Sequence, residues 1–357
     1  MGLGKNTEYY IFQLQRSFGR FVLTPYVGAR KLLNAFALGM QFVFLRNSKL
    51  WGYPLKISFD PTNACMLKCP LCPTGNRRKG REWGKMKFTD FKKVMDEMAP
   101  WLYEINLNNW GEPFLNKDMI KMAEYAHGKR VWTSINSNMN VPLSERDAER
   151  LVQSGLDWLY VSFDGITQEA YEKYRRNGNL KTVFDNLKLV HRKKKELNSK
   201  TPAVVWQFLR MKHNEHEVPE LERVKKELGI DELVVGAVRC DLGNEIFVTD
   251  REKVDSMAQW LPSDDRNSRY DYEKKERRVQ KEFCPFLWFV TVVNWDGSVS
   301  PCCAIYEKKY DFGNAFTGNL KEIWNNEKYI ASRDMVARRP AKQSTVCANC
   351  LKTGFID

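Results

Sequence analysis

The chain has 357 residues, 43% hydrophobic and 28% charged, an ordinary globular balance that is long enough for two or three domains around a substantial core. Its 57 Lys and Arg against 44 Asp and Glu leave a net charge of +13, which favours anionic partners: phosphorylated or carboxylated small molecules, acidic lipid surfaces or nucleic acid. Nine cysteines in so long a chain, most of them in two groups, do not describe the disulfide framework of a small secreted domain and predict a reducing, cytoplasmic compartment.

No run of about 18 uncharged apolar residues occurs, so no transmembrane span is predicted. The nearest run, "LLNAFALGMQFVFL" at Leu32 to Leu45, is short and interrupted by Asn34 and Gln41. The first 60 residues hold eight Lys or Arg and two acids beside this aromatic segment. That composition suits a helix lying in an anionic interface at the inner face of a membrane, with Arg30, Lys31 and Arg46 among headgroups. A helix packed on the main domain explains it equally well.

From Pro54 to Cys240 short apolar runs alternate with helical patterns. "LKISF" at Leu55 to Phe59 predicts a strand; Phe88, Phe91, Val94, Met95 and Met98 recur as one helix stripe. The run "YEINLNNW" follows, then "KDMIKMAEYAH" closed by Gly128, then "VWTSINSN". A helix opens at Ser144 with Asp147 three residues on, as in a capping box, and stops at Gly155 before "WLYVSF". Helices through "QEAYEKYR" and "LKTVFDNLKLVHRKK" lead to "AVVWQFLR", and "VPELERVKKEL" leads to "ELVVGAV". Six strands, each followed by a helix, predict an α/β fold: a parallel (β/α) barrel or an open sheet. The basic run "HRKKK" at His191 to Lys195 is expected to be a solvated helix end.

In parallel α/β folds the chemistry lies at the carboxyl ends of the strands. Cys65, Cys69 and Cys72 fall just after the first strand as C-x3-C-x2-C. Structural zinc is closed by four ligands, and no fourth Cys or His lies close by. Thiolates also suit iron and sulfide, and three of them on a four-iron cluster leave one iron open to a small molecule.

This pattern resembles the radical S-adenosylmethionine (SAM) superfamily, in which the methionine amine and carboxylate chelate the open iron. "NWGEP" at Asn109 to Pro113 resembles the family's Gly-Gly-Glu-Pro element, with Trp110 in place of the first glycine. The resemblance implies that the Glu112 carboxylate accepts from the methionine ammonium. "SNM" at Ser137, Asn138 and Met139 resembles the third-strand Thr-Asn-Gly. "VSFDG" and "YRRNG" resemble the fourth-strand serine and following arginine that hold the methionine carboxylate, roles carried onto Ser162 and Arg175. "VVGAV", with Gly236, resembles the sixth-strand segment lying along adenine. The family fold implied is a partial parallel (β/α)6 TIM-like barrel.

After the polar stretch "PSDDRNSRYDYEKKERRVQK" come Cys284, Cys302, Cys303, Cys347 and Cys350, with Gly297 five residues before Cys302. This resembles the SPASM and Twitch extensions of radical SAM enzymes, whose G-x4-C pattern selects Cys302. The shorter Twitch form is the better match, since only seven residues follow Cys350. The resemblance implies that Cys284, Cys302, Cys347 and Cys350 hold a second, fully ligated cluster; a zinc knuckle is the alternative. Cys240 and Cys303 are left over. The expected organisation is an N-terminal helical extension over 1–53, the barrel over 54–240, a bridge over 241–280 and a small iron–sulfur auxiliary domain over 281–357.

The resemblance implies S-adenosylmethionine and two [4Fe–4S] clusters as cofactors, a reductant such as flavodoxin or ferredoxin, and a 5′-deoxyadenosyl radical that abstracts hydrogen from a substrate. The substrate expected is an anionic small molecule, a lipid-linked molecule or a peptide, with the second cluster in electron transfer. The basic loop "NRRKGREWGKMK" at Asn76 to Lys87 either meets an anionic group or is a solubilising loop. No nucleic-acid module accompanies the charge. A non-catalytic electron carrier is the alternative function, but a carrier has no use for a methionine cradle.

Overall fold

The strands form where the apolar runs place them. A computed structural model describes residues 26–45, 47–239, 258–273, 276–277 and 284–352; Arg46, Cys240 and residues 241–257 of the expected bridge lie outside the described residues. Strands β1 (Lys56–Phe59), β2 (Glu104–Leu107), β3 (Trp132–Ser137), β4 (Trp158–Ser162), β5 (Ala203–Arg210) and β6 (Glu232–Ala237) pair in parallel with their sequence neighbours. Their order never reverses, as it does in a doubly wound sheet, so the sheet belongs to a partial barrel.

Helix α1 (Ala29–Met40) precedes β1 and continues as a π-helical turn, Gln41–Leu45. Helix α2 (Phe88–Met98) buries Phe91, Val94, Met95 and Met98, the expected stripe, and Phe91 meets Phe59 of the β1 end with ring centroids 4.9 Å apart. Helix α3 (Met119–Gly128) includes the glycine expected to end it; the left-handed residue is Arg130, at φ 57°. Helix α4 (Glu145–Gln153) is capped as its sequence predicts: Ser144 Oγ accepts from Asp147 N at 3.1 Å and donates to Asp147 Oδ2 at 2.7 Å. Gly155 follows at φ 73°. Helices α5 (Gln168–Tyr174), α6 (Leu180–Glu196) and α7 (Leu221–Glu227) complete the crossovers. The basic end of α6 is not simply solvated, because Lys194 is buried and pairs with Asp231 at 2.7 Å.

Residues 258–273 run past the carboxyl ends of the strands, with Trp260 against Tyr174 at 5.2 Å and Arg269 Nε donating to Ala237 O at 3.0 Å. A short antiparallel pair, β7 (Tyr270–Asp271) and β8 (Glu276–Arg277), follows. The C-terminal part then rejoins the barrel. After α8 (Phe286–Phe289), β9 (Val290–Val293) pairs in parallel with β1, Lys56 opposite Val290 and Phe59 opposite Val293, and β10 (Val299–Ser300) returns antiparallel. One eight-stranded sheet results, in the order β10-β9-β1-β2-β3-β4-β5-β6. Helices α9 (Leu320–Ile323), α10 (Glu327–Val336) and α11 (Cys347–Lys352) close the chain's described part.

Candidate cofactor and cluster sites

The loop from Asp60 to Lys87 carries the first three thiols and is held by its own polar residues. Asn63, fully buried, donates through Nδ2 to Glu82 O at 2.8 Å and accepts from Gly84 N at 3.0 Å. Thr62 Oγ1 donates to Gly84 O at 2.7 Å. Two glycines permit the close packing. A Cβ on Gly75 would lie 2.5 Å from Cys69 O, and one on Gly111 would lie 1.8 Å from Thr62 O, closer than any side chain allows. Glu112 N then donates to Ala64 O at 2.8 Å, fastening the end of β2 to the cysteine loop.

Glu112 is 1% exposed and its carboxylate gathers three donors: Ser137 Oγ at 2.7 Å and Phe114 N at 3.2 Å on Oε1, and Asn138 N at 2.8 Å on Oε2. Burial pushes its pKa up to about 7, against the pull of the Asn138 amide and the Ser137 hydroxyl. Two carboxylate oxygens offer about four acceptor positions, so one remains for a further donor. An ammonium there would favour the ionised form, which is the fit expected of a methionine amine. Asn138 Nδ2 lies 3.5 Å from Cys65 Sγ and 3.6 Å from Met66 Sδ, so the third strand touches the cysteine loop directly. Met139 stands where the family pattern has glycine and takes the left-handed conformation itself, at φ 54°.

Cys65, Cys69 and Cys72 act on one another electrostatically. Burial raises Cys65 to about 12, with Glu112, Cys69 and Cys72 pushing the same way, and raises Cys69 to about 11, opposed by Arg175. Such thiols are ionised by a metal that displaces their protons. Arg175 Nε donates to the buried Asp164 Oδ2 at 2.6 Å, and Asp164 Oδ1 accepts from Leu209 N at 2.7 Å, so the guanidinium is fixed beside Cys69. Ser162, by contrast, is in a different group: its Oγ donates to Asn136 Oδ1 at 3.0 Å, and Asn136 Nδ2 donates to Gln207 Oε1 at 3.0 Å. This file of polar side chains crosses β3, β4 and β5, and Ser162 bonds within it, whereas Arg175 bonds to Asp164. At Gly236 an added Cβ would meet only Leu209 Cδ2, at 3.8 Å, so the surface of β6 is open there.

Sequence reasoning passed over Asp60. It follows β1, is fully buried, and accepts from Trp110 N at 3.2 Å, with the amides of Gly111 and Asn109 also bonded to it. Its Oδ2, together with Asn108 Oδ1, Asn109 Nδ2 and Trp110 Nε1, has no partner among the described residues. Unfilled polar atoms at the carboxyl ends of β1 and β2 fit a site that receives a polar molecule. The Trp110 ring, in place of the family's first glycine, packs edge-on against Tyr306 at 5.4 Å, toward the C-terminal part.

The second set of thiols lies on and beside the added strands. The β9–β10 turn places Gly297 at φ 82°, where a Cβ would lie 2.4 Å from Phe316 Cγ. Cys302 is held well above the usual thiol range, first by burial and then by Cys303, Cys350, Cys347 and Cys284. Burial lifts Cys347 to about 12, with Cys284 adding to it and the Ser332 and Thr345 hydroxyls opposing. Cys303 is the exposed member. Among the described residues no three Cys, His, Asp or Glu, the first three cysteines included, converge tightly enough for a single ion, so the fit to a cluster rests on this mutual reach and on partial burial of the four thiols.

The basic loop is exposed at Arg77, Lys79, Lys85 and Lys87 and otherwise tied to the C-terminal part. Arg78 pairs with Glu307 at 2.5 Å, Lys308 N donates to Gly80 O at 2.9 Å, and Trp295 Nε1 donates to Glu82 O at 2.9 Å. The Arg81 side chain is fully buried, donating to Tyr306 O at 2.8 Å, Ser298 Oγ at 2.7 Å and Asp311 Oδ2 at 2.7 Å. Two of the loop's six basic residues, Arg78 and Arg81, therefore pair internally and join the first cysteine loop to the C-terminal part.

Two family models match the chain: the radical SAM superfamily over residues 59–206 and the SPASM iron–sulfur cluster-binding domain over residues 284–351. A "Tungsten-containing aldehyde ferredoxin oxidoreductase cofactor-modifying protein" of Pyrococcus furiosus is 25% identical over 291 residues, 75% of this chain and 80% of that protein. A "PqqA peptide cyclase" of Bradyrhizobium diazoefficiens is 26% identical over 200 residues, 54% of this chain and 48% of that one. Among solved structures, Streptococcus suis SuiB bound to S-adenosylmethionine superposes with a TM-score of 0.59 at 15% identity, over 98% of this chain and 81% of that chain, a likeness of fold. A tagged form of anSMEcpe with bound AdoMet gives 0.52 at 16% identity, over 77% and 78%.

Proposed function

We propose that this chain, which belongs to the radical SAM superfamily and carries a C-terminal SPASM iron–sulfur domain, is a maturase-type enzyme that modifies a peptide by hydrogen-atom abstraction. Its cofactors are S-adenosylmethionine and two [4Fe–4S] clusters. When bound, they supply one-electron cleavage of the sulfonium and a 5′-deoxyadenosyl radical, while the protein's part is binding, orientation and shielding.

Cys65, Cys69 and Cys72 would hold the first cluster and Cys284, Cys302, Cys347 and Cys350 the second. Glu112 would receive the methionine ammonium, held in line by Ser137 and the Asn138 amide. Arg175, fixed by Asp164, would place its charge beside both Cys69 and the methionine carboxylate. Donors and positive charge near cluster sulfurs raise the reduction potential, so Asn138 and Arg175 would ease delivery of an electron from flavodoxin or ferredoxin. Ser162, Asn136 and Gln207 would line the cofactor's other polar contacts, and Gly236 would leave room for adenine. Residues 258–273 and the Arg81 contacts would help keep water from the strand ends.

One observation carries this reading: a buried carboxylate with an acceptor position to spare, set beside three mutually interacting thiols, is a methionine cradle and not part of an electron carrier. The peptide is favoured among substrates by the similarity to a peptide cyclase. The test is anaerobic reconstitution with a chemical reductant, followed by incubation with peptide, lipid and small-molecule fractions of a perdeuterated cell extract. Reductant-dependent 5′-deoxyadenosine, deuterated only by the peptide fraction, is the expected result. No 5′-deoxyadenosine at all removes the enzyme reading, and deuterium from the lipid or small-molecule fraction alone removes the peptide.

A further inference from the structure

Helix α1 is amphipathic the wrong way round for a helix packed on a globular core. The side it turns to the protein is polar: Lys31, Asn34 and Gln41 are buried alongside Leu38. Each polar member is spent on backbone, Lys31 Nζ donating to Arg130 O at 2.6 Å, Asn34 Nδ2 to Tyr53 O at 2.9 Å and Gln41 Nε2 to Lys49 O at 3.1 Å. Gln41 Oε1 also accepts from Trp51 N at 2.7 Å. The opposite side is apolar and in the open, with Leu33 and Phe36 each 69% exposed, Val43 59% and Phe44 72%; Trp51, whose amide meets Gln41, is 68% exposed. Isolated exposed apolar residues are ordinary, but a stripe at helical spacing is a contact surface.

The surroundings indicate what covers it. Arg30 is exposed at the first turn of α1. At the other end Arg339 Nη2 donates to Leu45 O at 3.2 Å, which brings one exposed cation to the end of the stripe; Arg338 and Lys342, also exposed, adjoin it in the chain. An apolar stripe with basic residues at both ends matches an anionic membrane surface, where the rings and aliphatic chains enter the acyl boundary and the cations remain with the headgroups. A protein partner's groove offers the apolar half of this match without the two-ended negative charge. No helix among the described residues is long and apolar enough to cross a membrane, so the contact is one of lying on the surface.

We propose that the α1 face from Leu33 to Phe44, with Trp51 and the Arg30 and Arg338–Lys342 flanks, docks the enzyme on an anionic phospholipid bilayer. Docking of this kind is independent of the peptide reading, since it places the enzyme and leaves the substrate open.

The experiment is co-sedimentation of the reconstituted full-length holoenzyme with vesicles of phosphatidylcholine containing phosphatidylglycerol, and with phosphatidylcholine alone, at low and high salt. The variant Leu33→Glu/Phe36→Glu/Phe44→Glu changes only exposed positions, and 5′-deoxyadenosine formation without vesicles reports that it folds. Wild type should pellet with phosphatidylglycerol vesicles at low salt, with at least a tenfold fall in partition for the triple variant or on omitting phosphatidylglycerol. Arg338→Glu/Arg339→Glu should lose most of the salt-sensitive part. Failure of the wild type to pellet, or equal pelleting of the triple variant, overturns the proposal. A wild-type dimer that the triple variant converts to monomer, without vesicle binding, assigns the face to a second copy instead. Vesicle binding that appears only after residues 1–25 are removed assigns it to the chain's own N-terminal segment, and also overturns the proposal.

Discussion

Arg81, on the loop that carries the first three cysteines, donates to Asp311 of the C-terminal part at 2.7 Å, with the two side chains 0% and 6% exposed. Asp296 lies 3.7 Å away on the other side of the guanidinium. The pair spans the two halves of the chain at the point where both thiol sets must be placed, and β9 pairing with β1 supports the same joint.

Removing one partner of a buried ion pair leaves an uncompensated charge at a cost of about 3 to 5 kcal/mol. Arg81→Met is therefore expected to lower the unfolding free energy of the apo protein, extrapolated from urea titration, by an amount of that order and to reduce iron retention at both sites. Unchanged unfolding curves and full iron content would show that the joint does not depend on Arg81.

Glu112→Gln keeps the shape of the side chain and removes its charge. A charge-assisted hydrogen bond is worth about 1.5 to 3 kcal/mol, so affinity for S-adenosylmethionine should fall by about one to two orders of magnitude. Both clusters should still assemble. Equilibrium titration of the anaerobic holoenzyme measures this, and wild-type affinity in the variant takes Glu112 out of the site.

Replacing Cys65, Cys69 and Cys72 together by Ala is expected to halve the iron, from about eight to about four per chain, since each cluster has four irons. Reductant-dependent 5′-deoxyadenosine should vanish. Mössbauer spectra and product analysis check the two outcomes separately; zinc in the remaining site would contradict the second cluster.

Asp60 predicts the sign of a pH effect. Burial lifts it to about 7, opposed by the Trp110, Gly111 and Asn109 amides and by Arg81, whereas an unfolded aspartate titrates near about 3.9. Between those values the native state holds a proton that the unfolded chain has lost. Stability from this group is then greatest in acid and falls as pH rises toward about 7, by at most about 1.4 kcal/mol per pH unit. Glu112, also raised to about 7, acts in the same direction. The apo protein should have a higher urea midpoint at pH 5 than at pH 8, and Asp60→Asn should shrink that difference. An identical difference in both proteins would falsify the assignment to Asp60.

Much of the barrel, and the spacing of its candidate site residues, was legible in the residues alone because it is written locally. The stripe of Phe91, Val94, Met95 and Met98, the Ser144–Asp147 cap and the six apolar runs each depend on neighbours a few positions away, and they formed as expected. The spacing of Cys65, Cys69 and Cys72 and the position of Glu112 are likewise matters of short range. What tertiary structure alone decided involves partners far apart in the chain, whose pairing no local pattern specifies. The basic loop looked like a surface feature until Arg81 was found buried on Asp311. That the C-terminal part joins the barrel sheet, with Val290 to Val293 on the free edge of β1, was set by pairing between distant segments. Asp60 became a candidate site residue only when the end of β2 brought three amides to it. Composition suggested a helix near Leu32 to Leu45, but which of its faces turns inward was set by whether carbonyls at Tyr53, Lys49 and Arg130 waited there for Asn34, Gln41 and Lys31. A buried polar group takes whichever face satisfies its hydrogen bonds, and that is a property of the assembled surroundings, not of the helix.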